Sequence, residues 1–173
     1  MMTFDELQQA MRLHNENNDC TVKALAICRG IPYTEARKIC RSYGRRDRDG
    51  MRGYQVFRML SDEFGAERML YPEMQKLKDS IGVSNLTANN ITKALKRCGY
   101  GDAHVYAMTC DHAIGIRKGE VIDWTAGKRN VIKHIVIVPP AQAEQAAQAF
   151  RKLRHRKAKR LGLDPKTGQP LTN

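Results

Sequence analysis

The hydrophobic periodicity of this chain changes once, near Ala103. Before that point apolar residues recur at the three- and four-residue spacing of amphipathic helices, and after it they alternate as in half-buried strands. No internal repeat is visible. Helices followed by consecutive strands predict an α+β domain, in which a helical N-terminal half packs on a C-terminal antiparallel sheet.

The helical half contains five predicted helices with recognisable start and stop signals. Thr3 and Glu6 have the spacing of a capping box, and Asp19 is a suitable N-cap for a helix that begins at Cys20. The predicted helices cover residues 3–14, 20–28, 35–43, 53–64 and 87–98, whereas residues 69–83 have mixed character. Cys20 therefore falls in the first turn of a helix.

The second half contains about four predicted strands, followed by one more helix. The strands cover residues 104–108, 111–117, 120–124 and 130–138. Lys118-Gly119 is a two-residue hairpin turn between the second and the third. Pro139-Pro140 ends the sheet, and a last helix is predicted over residues 141–160.

The length of 173 residues corresponds to about one domain. We expect a single domain over residues 1–150 and a basic helix end and tail over residues 151–173. This tail holds eight basic residues and one acidic residue, and so carries most of the net charge of +12. The longest aliphatic run, residues 135–138, is too short to span a bilayer, and no signal peptide is recognisable. We therefore expect no membrane partner.

The cysteine content argues against structural disulfides and against a zinc ribbon. There are five cysteines, an odd number, and none forms a Cys-x-x-Cys pair. A zinc site built from Cys98, Cys110 and His112 would match no ordinary spacing, and it would consume a histidine that can act as a base. We expect reduced thiols in a cytoplasm, with no metal and no cofactor.

Cys20 is the best candidate for a nucleophile. The start of a helix is the positive end of its dipole and presents unpaired backbone N–H groups, and both favour thiolate over thiol. A cysteine in this position is more often a small buried residue. A catalytic role therefore requires a base and a group that orients the base.

The predicted hairpin supplies both groups. With Lys118-Gly119 as the turn, Ile114 faces Asp123 and His112 lies on the same face of the sheet. His112 and Asp123 are then diagonal neighbours at ~7–8 Å between backbones, a gap that their side chains can close. The alternative is that Asp123 only ends a strand and His112 only packs in the sheet.

Three short motifs follow one another along the chain, around Cys20, His112 and Asp123. They read Asn18-Asp19-Cys20-Thr21-Val22-Lys23-Ala24-Leu25-Ala26, Asp111-His112-Ala113-Ile114-Gly115-Ile116 and Gly119-Glu120-Val121-Ile122-Asp123-Trp124. Over about residues 15–138 their order resembles the papain-like cysteine peptidase superfamily, especially small bacterial and phage members such as the bacteriocin leader-processing type. The resemblance implies a papain-like fold with Cys20 as nucleophile, His112 as general base and Asp123 as the residue that orients it.

The chain departs from this superfamily at the oxyanion hole. Many members have a glutamine six residues before the nucleophile, and His14 occupies that position here. By the resemblance, the backbone N–H of Cys20 is one donor to the oxyanion. Asn15, Asn17 and Asn18 are the candidates for the second donor.

The basic run in the tail has seven Lys or Arg side chains in ten positions. Such a density can neutralise several phosphates, and the alternative is a solvated helix end. No aromatic or groove-reading motif accompanies it, so any nucleic-acid binding would be non-specific. The candidate binding residues are Arg151, Lys152, Arg154, Arg156, Lys157, Lys159 and Arg160.

The sequence therefore indicates two alternative functions. The first is a thiol hydrolase, a cysteine peptidase or isopeptidase that cuts an amide bond of a peptide or protein substrate through an acyl-enzyme on Cys20. The second is a catalytically silent papain-like module that binds nucleic acid or an acidic protein through its basic tail. The small basic chain also suggests a phage accessory protein, located in the host cytoplasm or in the virion.

Overall fold

Six helices and five strands occur in residues 3–139, the part of the chain that the computed structural model describes. The helices are α1 (Phe4–Leu13), α2 (Cys20–Arg29), α3 (Tyr33–Ser42), α4 (Gly53–Phe64), α5 (Tyr71–Ile81) and α6 (Ile91–Arg97). The strands are β1 (Glu67–Arg68), β2 (His104–Met108), β3 (Ala113–Arg117), β4 (Glu120–Val121) and β5 (His134–Val138). The architecture is α+β, as the change of periodicity predicts.

The strands form one antiparallel sheet in the order β1-β5-β2-β3-β4. The sequence predicted about four strands, and the additional one is β1. It consists of only two residues, Glu67 and Arg68, which lie opposite Ile137 and Val136 of β5. A strand this short has no alternation to recognise, so only its pairing partner reveals it.

The hairpin between β3 and β4 has the predicted register at its two paired positions, but the pairing ends before the predicted pair of Ile114 and Asp123. Arg117 lies opposite Glu120 and Ile116 lies opposite Val121. Lys118 and Gly119 both have positive φ, 52° and 71°, as a type I′ turn requires. The local turn chemistry therefore fixes which residues of the two strands face each other.

Helices cover both faces of the sheet. Along β2, Tyr106 and Met108 pack into a core with α1 to α4, while Val105 and Ala107 pack into a second core with α5 and α6. Adjacent strand residues point to opposite faces, so each strand contributes to both cores. This explains why four of the five residues of β2 are buried.

Helix α2 packs closest to the sheet, against β3. Most of its residues are buried, including Val22 and Leu25, which have no exposed surface. A Cβ added to Gly115 would lie 2.6 Å from Cβ of Ile27 and 2.8 Å from the carbonyl oxygen of Ala24. Gly115 thus permits the close approach of the middle of α2 to the middle of β3.

Helix α5 lies where the sequence pattern was mixed. It contains a proline in its first turn and buries only Leu77, so its apolar stripe is too narrow to stand out. Among the described residues, no helix has the length and apolar character needed to cross a membrane. The helix predicted over residues 141–160, the domain limit at residue 150 and the tail over residues 151–173 lie outside the described residues.

Candidate active site

Cys20 is the first residue of α2. The first N–H groups of a helix have no partner within it, and this end of the helix carries partial positive charge. The side chain of Cys20 is partly exposed. The thiol thus lies where a negative charge is stabilised and where a substrate can reach it.

The loop before α2 is anchored by Glu16, whose carboxylate is fully buried. Arg45 donates hydrogen bonds to it at 3.0 and 2.9 Å, Arg37 donates one at 2.8 Å, and the backbone N–H of Arg48 donates one at 2.7 Å. The bonds from Arg45 have the largest effect, and together these groups lower the pKa of Glu16 to about 2. The network fixes the chain four residues before Cys20.

Asp19 has the N-cap position that the sequence predicts, but its side chain makes no capping hydrogen bond. It accepts a hydrogen bond from the hydroxyl of Tyr33 at 2.8 Å and forms an ion pair with Lys23 at 2.9 Å. A buried carboxylate is more strongly stabilised by a cation than by a neutral backbone amide. Asp19 therefore serves to hold the start of α2 against α3.

His112 immediately precedes β3, which begins at Ala113 and not at Asp111 as predicted. The hydroxyl of Thr109 accepts a hydrogen bond from the backbone N–H of His112 at 3.0 Å, and the N–H of Thr109 donates to the carbonyl of His112 at 2.9 Å. These bonds close a tight turn between β2 and β3. The turn fixes the backbone of His112 beside α2.

Asp123 lies in a turn after β4, which ends at Val121 and is shorter than the predicted strand of residues 120–124. Oδ1 of Asp123 lies 3.0 Å from Nε2 of His112. The same oxygen accepts hydrogen bonds from the backbone N–H of Thr125 at 2.9 Å and from its hydroxyl at 2.7 Å. An aspartate that binds the backbone two residues ahead favours a turn over a strand, which explains the early end of β4.

Thr125 is a residue that the sequence reasoning missed. It has no exposed surface, and its two hydrogen bonds hold the carboxylate that faces His112. The spacing Asp-x-Thr is the one signal that indicates it, because that spacing is typical of a side chain bonding to the backbone two residues on.

The surroundings of Cys20 lower the pKa of its thiol. Burial has the largest single effect and acts to raise the pKa. Hydrogen bonds from the side chain of His112 and from the backbone N–H of Ala113 outweigh it, aided by the charge of His112 and by the hydroxyl of Thr21. The structure therefore brings Cys20 and His112 together and favours the thiolate.

The same contacts act on His112 in the opposite direction. Burial lowers its pKa, but the hydrogen bonds and charges of Asp123 and Cys20 raise it to about 9. Since Nε2 of His112 is bonded to Asp123, Nδ1 is the ring nitrogen left for Cys20. A thiol with a lowered pKa next to an imidazole with a raised pKa favours a thiolate and imidazolium pair near neutral pH.

Two clefts meet at this pair. The main cleft, of about 450 Å³, is lined by Met51, Val56 and Met108 as well as by Cys20 and His112. The side cleft, of about 320 Å³, is also lined by Cys20 and His112 and includes Asp123, Trp124 and Gln8. Both clefts therefore border the side chains of Cys20 and His112.

Trp124 covers one side of His112. The two ring centroids lie 5.2 Å apart at an interplanar angle of 57°, and half of the surface of Trp124 is exposed. Nζ of Lys128 lies 4.2 Å from the centroid of the Trp124 ring. Trp124 thus packs against the ring of His112 at the edge of the side cleft.

The three asparagine candidates for the oxyanion hole have different positions. Asn18 lines both clefts and Asn17 lines only the side cleft. Asn15 is exposed and lines neither, and its backbone carbonyl accepts a hydrogen bond from Arg48 at 3.1 Å. His14 stacks on Tyr33 with ring centroids 5.7 Å apart. Asn18 is therefore the asparagine best placed to supply a second donor.

The described residues contain no group of three or more His, Cys, Asp or Glu side chains arranged to hold a metal ion. None of the five cysteines, all of which are described, forms a disulfide. The basic run, with Arg151, Lys152, Arg154, Arg156, Lys157, Lys159 and Arg160, lies outside the described residues, so its binding role stays a prediction.

The chain was also compared with known proteins. No protein-family model matches it, and neither a curated protein nor a solved structure is significantly similar to it. The resemblance to papain-like peptidases therefore stays a prediction, carried by the motifs around Cys20, His112 and Asp123.

Proposed function

We propose that this protein is a thiol hydrolase that cleaves an amide bond in a peptide or protein. The observation that carries the proposal is that His112 lowers the pKa of the Cys20 thiol and is itself hydrogen-bonded to Asp123, which Thr125 holds in turn. A nucleophile beside a base, with the base bonded to a buried carboxylate, is the arrangement that nucleophilic acyl transfer requires. The two clefts that meet at the sulfur provide room for substrate on both sides.

Acylation begins from the thiolate of Cys20. Its sulfur attacks the carbonyl carbon of the scissile amide, and the carbonyl oxygen becomes an oxyanion. The backbone N–H of Cys20 donates a hydrogen bond to that oxyanion, and the side chain of Asn18 is the second donor. The imidazolium of His112 gives its Nδ1 proton to the nitrogen of the leaving amine, the C–N bond breaks, and a thioester on Cys20 remains.

Deacylation uses the same groups in reverse roles. The neutral imidazole of His112 takes a proton from a water molecule, and the resulting hydroxide attacks the thioester carbonyl. The C–S bond breaks, the carboxylic product leaves, and the thiolate of Cys20 and the imidazolium of His112 are restored. Asp123 keeps its hydrogen bond to Nε2 of His112 throughout and so keeps the ring oriented.

A cleavage assay on a mixture of peptides tests the proposal without knowledge of the substrate. A proteome-derived peptide library is incubated with the full chain, and new N-termini are identified by mass spectrometry. We expect a set of cleaved sequences that share a pattern around the cut. The same assay reveals the acyl-enzyme as a mass increase on Cys20 after rapid quenching in acid.

Two variants make the result specific. Cys20→Ala should abolish both the cleavage and the adduct, whereas Cys110→Ala, which removes an exposed thiol of the same cleft, should preserve both. Equal cleavage by the wild type and by Cys20→Ala would show that a contaminant or another residue is responsible, and the proposed nucleophile would be wrong.

A further inference from the structure

A third cleft, of about 230 Å³, lies beside the main cleft and shares Lys133 with it. It is lined by Arg68, Lys78 and Lys133, together with Tyr71 and Asn85, and we call it the basic cleft. These five side chains supply guanidinium, ammonium, phenol and amide donors. None of the residues that line it is an acid. Its chemistry therefore fits an anion.

Arg68 links the basic cleft to the main cleft. Its Nη2 lies 2.8 Å from Nδ1 of His134, a residue of the main cleft, and its guanidinium carbon lies 4.7 Å from the ring centroid of Phe57. Arginine can only donate, so Nδ1 of His134 is the acceptor and its proton is on Nε2. His134 is thus a neutral donor between the two clefts, and Arg68 has a fixed position.

The three cations of the basic cleft differ from those that support the fold. Arg45 and Arg37 are bound to Glu16, and Arg41 is bound to Asp47. Within residues 3–139, Arg68, Lys78 and Lys133 form no ion pair with a carboxylate. Three cations around one small cleft repel one another, and an anion in the cleft relieves that repulsion.

We propose that the basic cleft is a specificity subsite that binds an acidic side chain of the peptide substrate, a few residues away from the bond that Cys20 cleaves. This inference rests on the proposed hydrolase function and adds to it a substrate class. A peptide is favoured over a nucleic acid because the cleft continues the one that contains Cys20. A polynucleotide, by contrast, needs a basic groove that follows a charged backbone.

Charged affinity labels test the subsite directly. Iodoacetyl peptides carry the electrophile at one end, a glycine spacer of variable length, and three Glu, three Lys or three Ser residues at the other end. The rate of alkylation of Cys20 is followed by peptide mass spectrometry in a full-length Cys110→Ser background. Alkylation transfers the acetyl-peptide carbon to sulfur with loss of iodide and needs no hydrolysis.

At one preferred spacer length, we expect the Glu probe to label Cys20 about tenfold faster than the Lys probe. This factor is at the low end of the rate enhancements that electrostatic steering produces. The difference should shrink as salt is added, because exposed charges are screened. A triple variant should bring the labelling rates of the Glu and Lys probes to within about twofold of each other. Its substitutions are Arg68→Gln, Lys78→Gln and Lys133→Gln. Equal rates for the Glu and Lys probes in the wild type would overturn the proposal.

A matched variant controls for net charge. Lys38→Gln, Lys76→Gln, Lys93→Gln removes three exposed lysines that line none of the three clefts. It should retain the preference for the Glu probe. If it loses the preference as completely as the cleft variant does, total charge and not the basic cleft is responsible, and the subsite is wrong.

Protection by polymers separates the two kinds of partner. Poly-glutamate should slow the labelling of Cys20 by neutral iodoacetamide more than an oligothymidylate of equal charge concentration. Stronger protection by the oligothymidylate would assign the cleft to nucleic acid and overturn the peptide subsite. A preference for the Glu probe without any peptide cleavage would keep the anionic subsite and overturn the hydrolase alone.

Discussion

The two ends of α2 carry cysteines with opposite properties. Cys20, at the N-terminal end, is partly exposed and its pKa is lowered. Cys28, near the C-terminal end, has no exposed surface, and burial raises its pKa to about 12. Its sulfur lies 3.5 Å from the carbonyl oxygen of Leu25, to which the thiol donates.

This comparison shows what activates a thiol in this fold. Burial is the largest single influence on both thiols, and at each it acts to raise the pKa. Only at Cys20 do an imidazole, a backbone N–H and a hydroxyl outweigh it. The helix brings one cysteine to those partners and packs the other into the core, so position along α2 decides which thiol has a lowered pKa.

Alanine variants of the two cysteines should give the largest effects, one on turnover and the other on stability. Cys20→Ala should lower turnover by ~10³-fold or more, because no other group replaces the nucleophile, with little change in the free energy of unfolding. Cys28→Ala should keep turnover and lose about 1 kcal/mol of stability through a small cavity. Peptide cleavage and urea unfolding measure the two effects. A Cys28→Ala protein without activity but with unchanged stability would break the comparison.

Glu16→Gln should weaken the anchor that precedes Cys20. The change leaves Arg45, whose side chain has no exposed surface, without its carboxylate, at a cost of about 3 kcal/mol. The pKa of Glu16 is lowered to about 2 on folding, so its contribution is complete above the ordinary value of 4.5 and is lost as the pH falls towards 2. The stability difference between wild type and variant should therefore shrink below pH 4.5, as urea unfolding at several pH values would reveal. A difference that is constant from pH 7 to pH 3 would contradict the role of an ionised Glu16.

Asp123→Asn should reduce turnover by about a hundredfold while leaving the nucleophile in place. An amide at this position carries no charge to stabilise the imidazolium of His112, and it can donate to the ring where Asp123 only accepts. The pKa of His112 should fall, which NMR of its ring protons measures. Unchanged turnover together with an unchanged titration of His112 would remove Asp123 from the mechanism.

Thr125→Val should have the smallest effect on turnover, about tenfold, because one of the three hydrogen bonds to Oδ1 of Asp123 is lost. If Thr125 positions Asp123, the valine variant should have a lower pKa of His112 as well as a slower rate of turnover. Thr125→Ser keeps the hydroxyl and should restore both. If the valine variant is only less stable, with the wild-type pH profile, Thr125 is structural and not a positioning residue.

The sequence predicts those parts of the site that depend on neighbouring residues. Polar residues before an apolar helix locate Cys20 at the start of α2, and the Lys118-Gly119 turn sets the register that brings His112 towards Asp123. The parts of the site that the sequence does not predict depend on contacts between segments that are far apart in the chain. The pairing of Glu16 with Arg45 joins residues 29 positions apart, and no local pattern distinguishes this arginine from exposed ones.

The bounds of the shortest strands depend partly on distant partners and partly on local bonds of side chains. β1 has two residues and exists because β5 lies beside it. β4 ends early because the side chain of Asp123 bonds to Thr125 and turns the chain. The basic cleft likewise combines Arg68, Lys78 and Lys133, which are separated in sequence and meet only in the folded chain.

We propose that His112 keeps Cys20 as a thiolate near neutral pH, and the pH dependence of alkylation tests this most directly. Iodoacetamide labelling of Cys20 is followed by mass spectrometry from pH 5 to pH 10 in the wild type and in His112→Ala, with buried Cys28 as the unreactive reference. The wild type should react with an inflection below the ordinary thiol value of 9.0, and the variant should need a higher pH. Identical profiles in both proteins, with an inflection at the ordinary value, would contradict the claim.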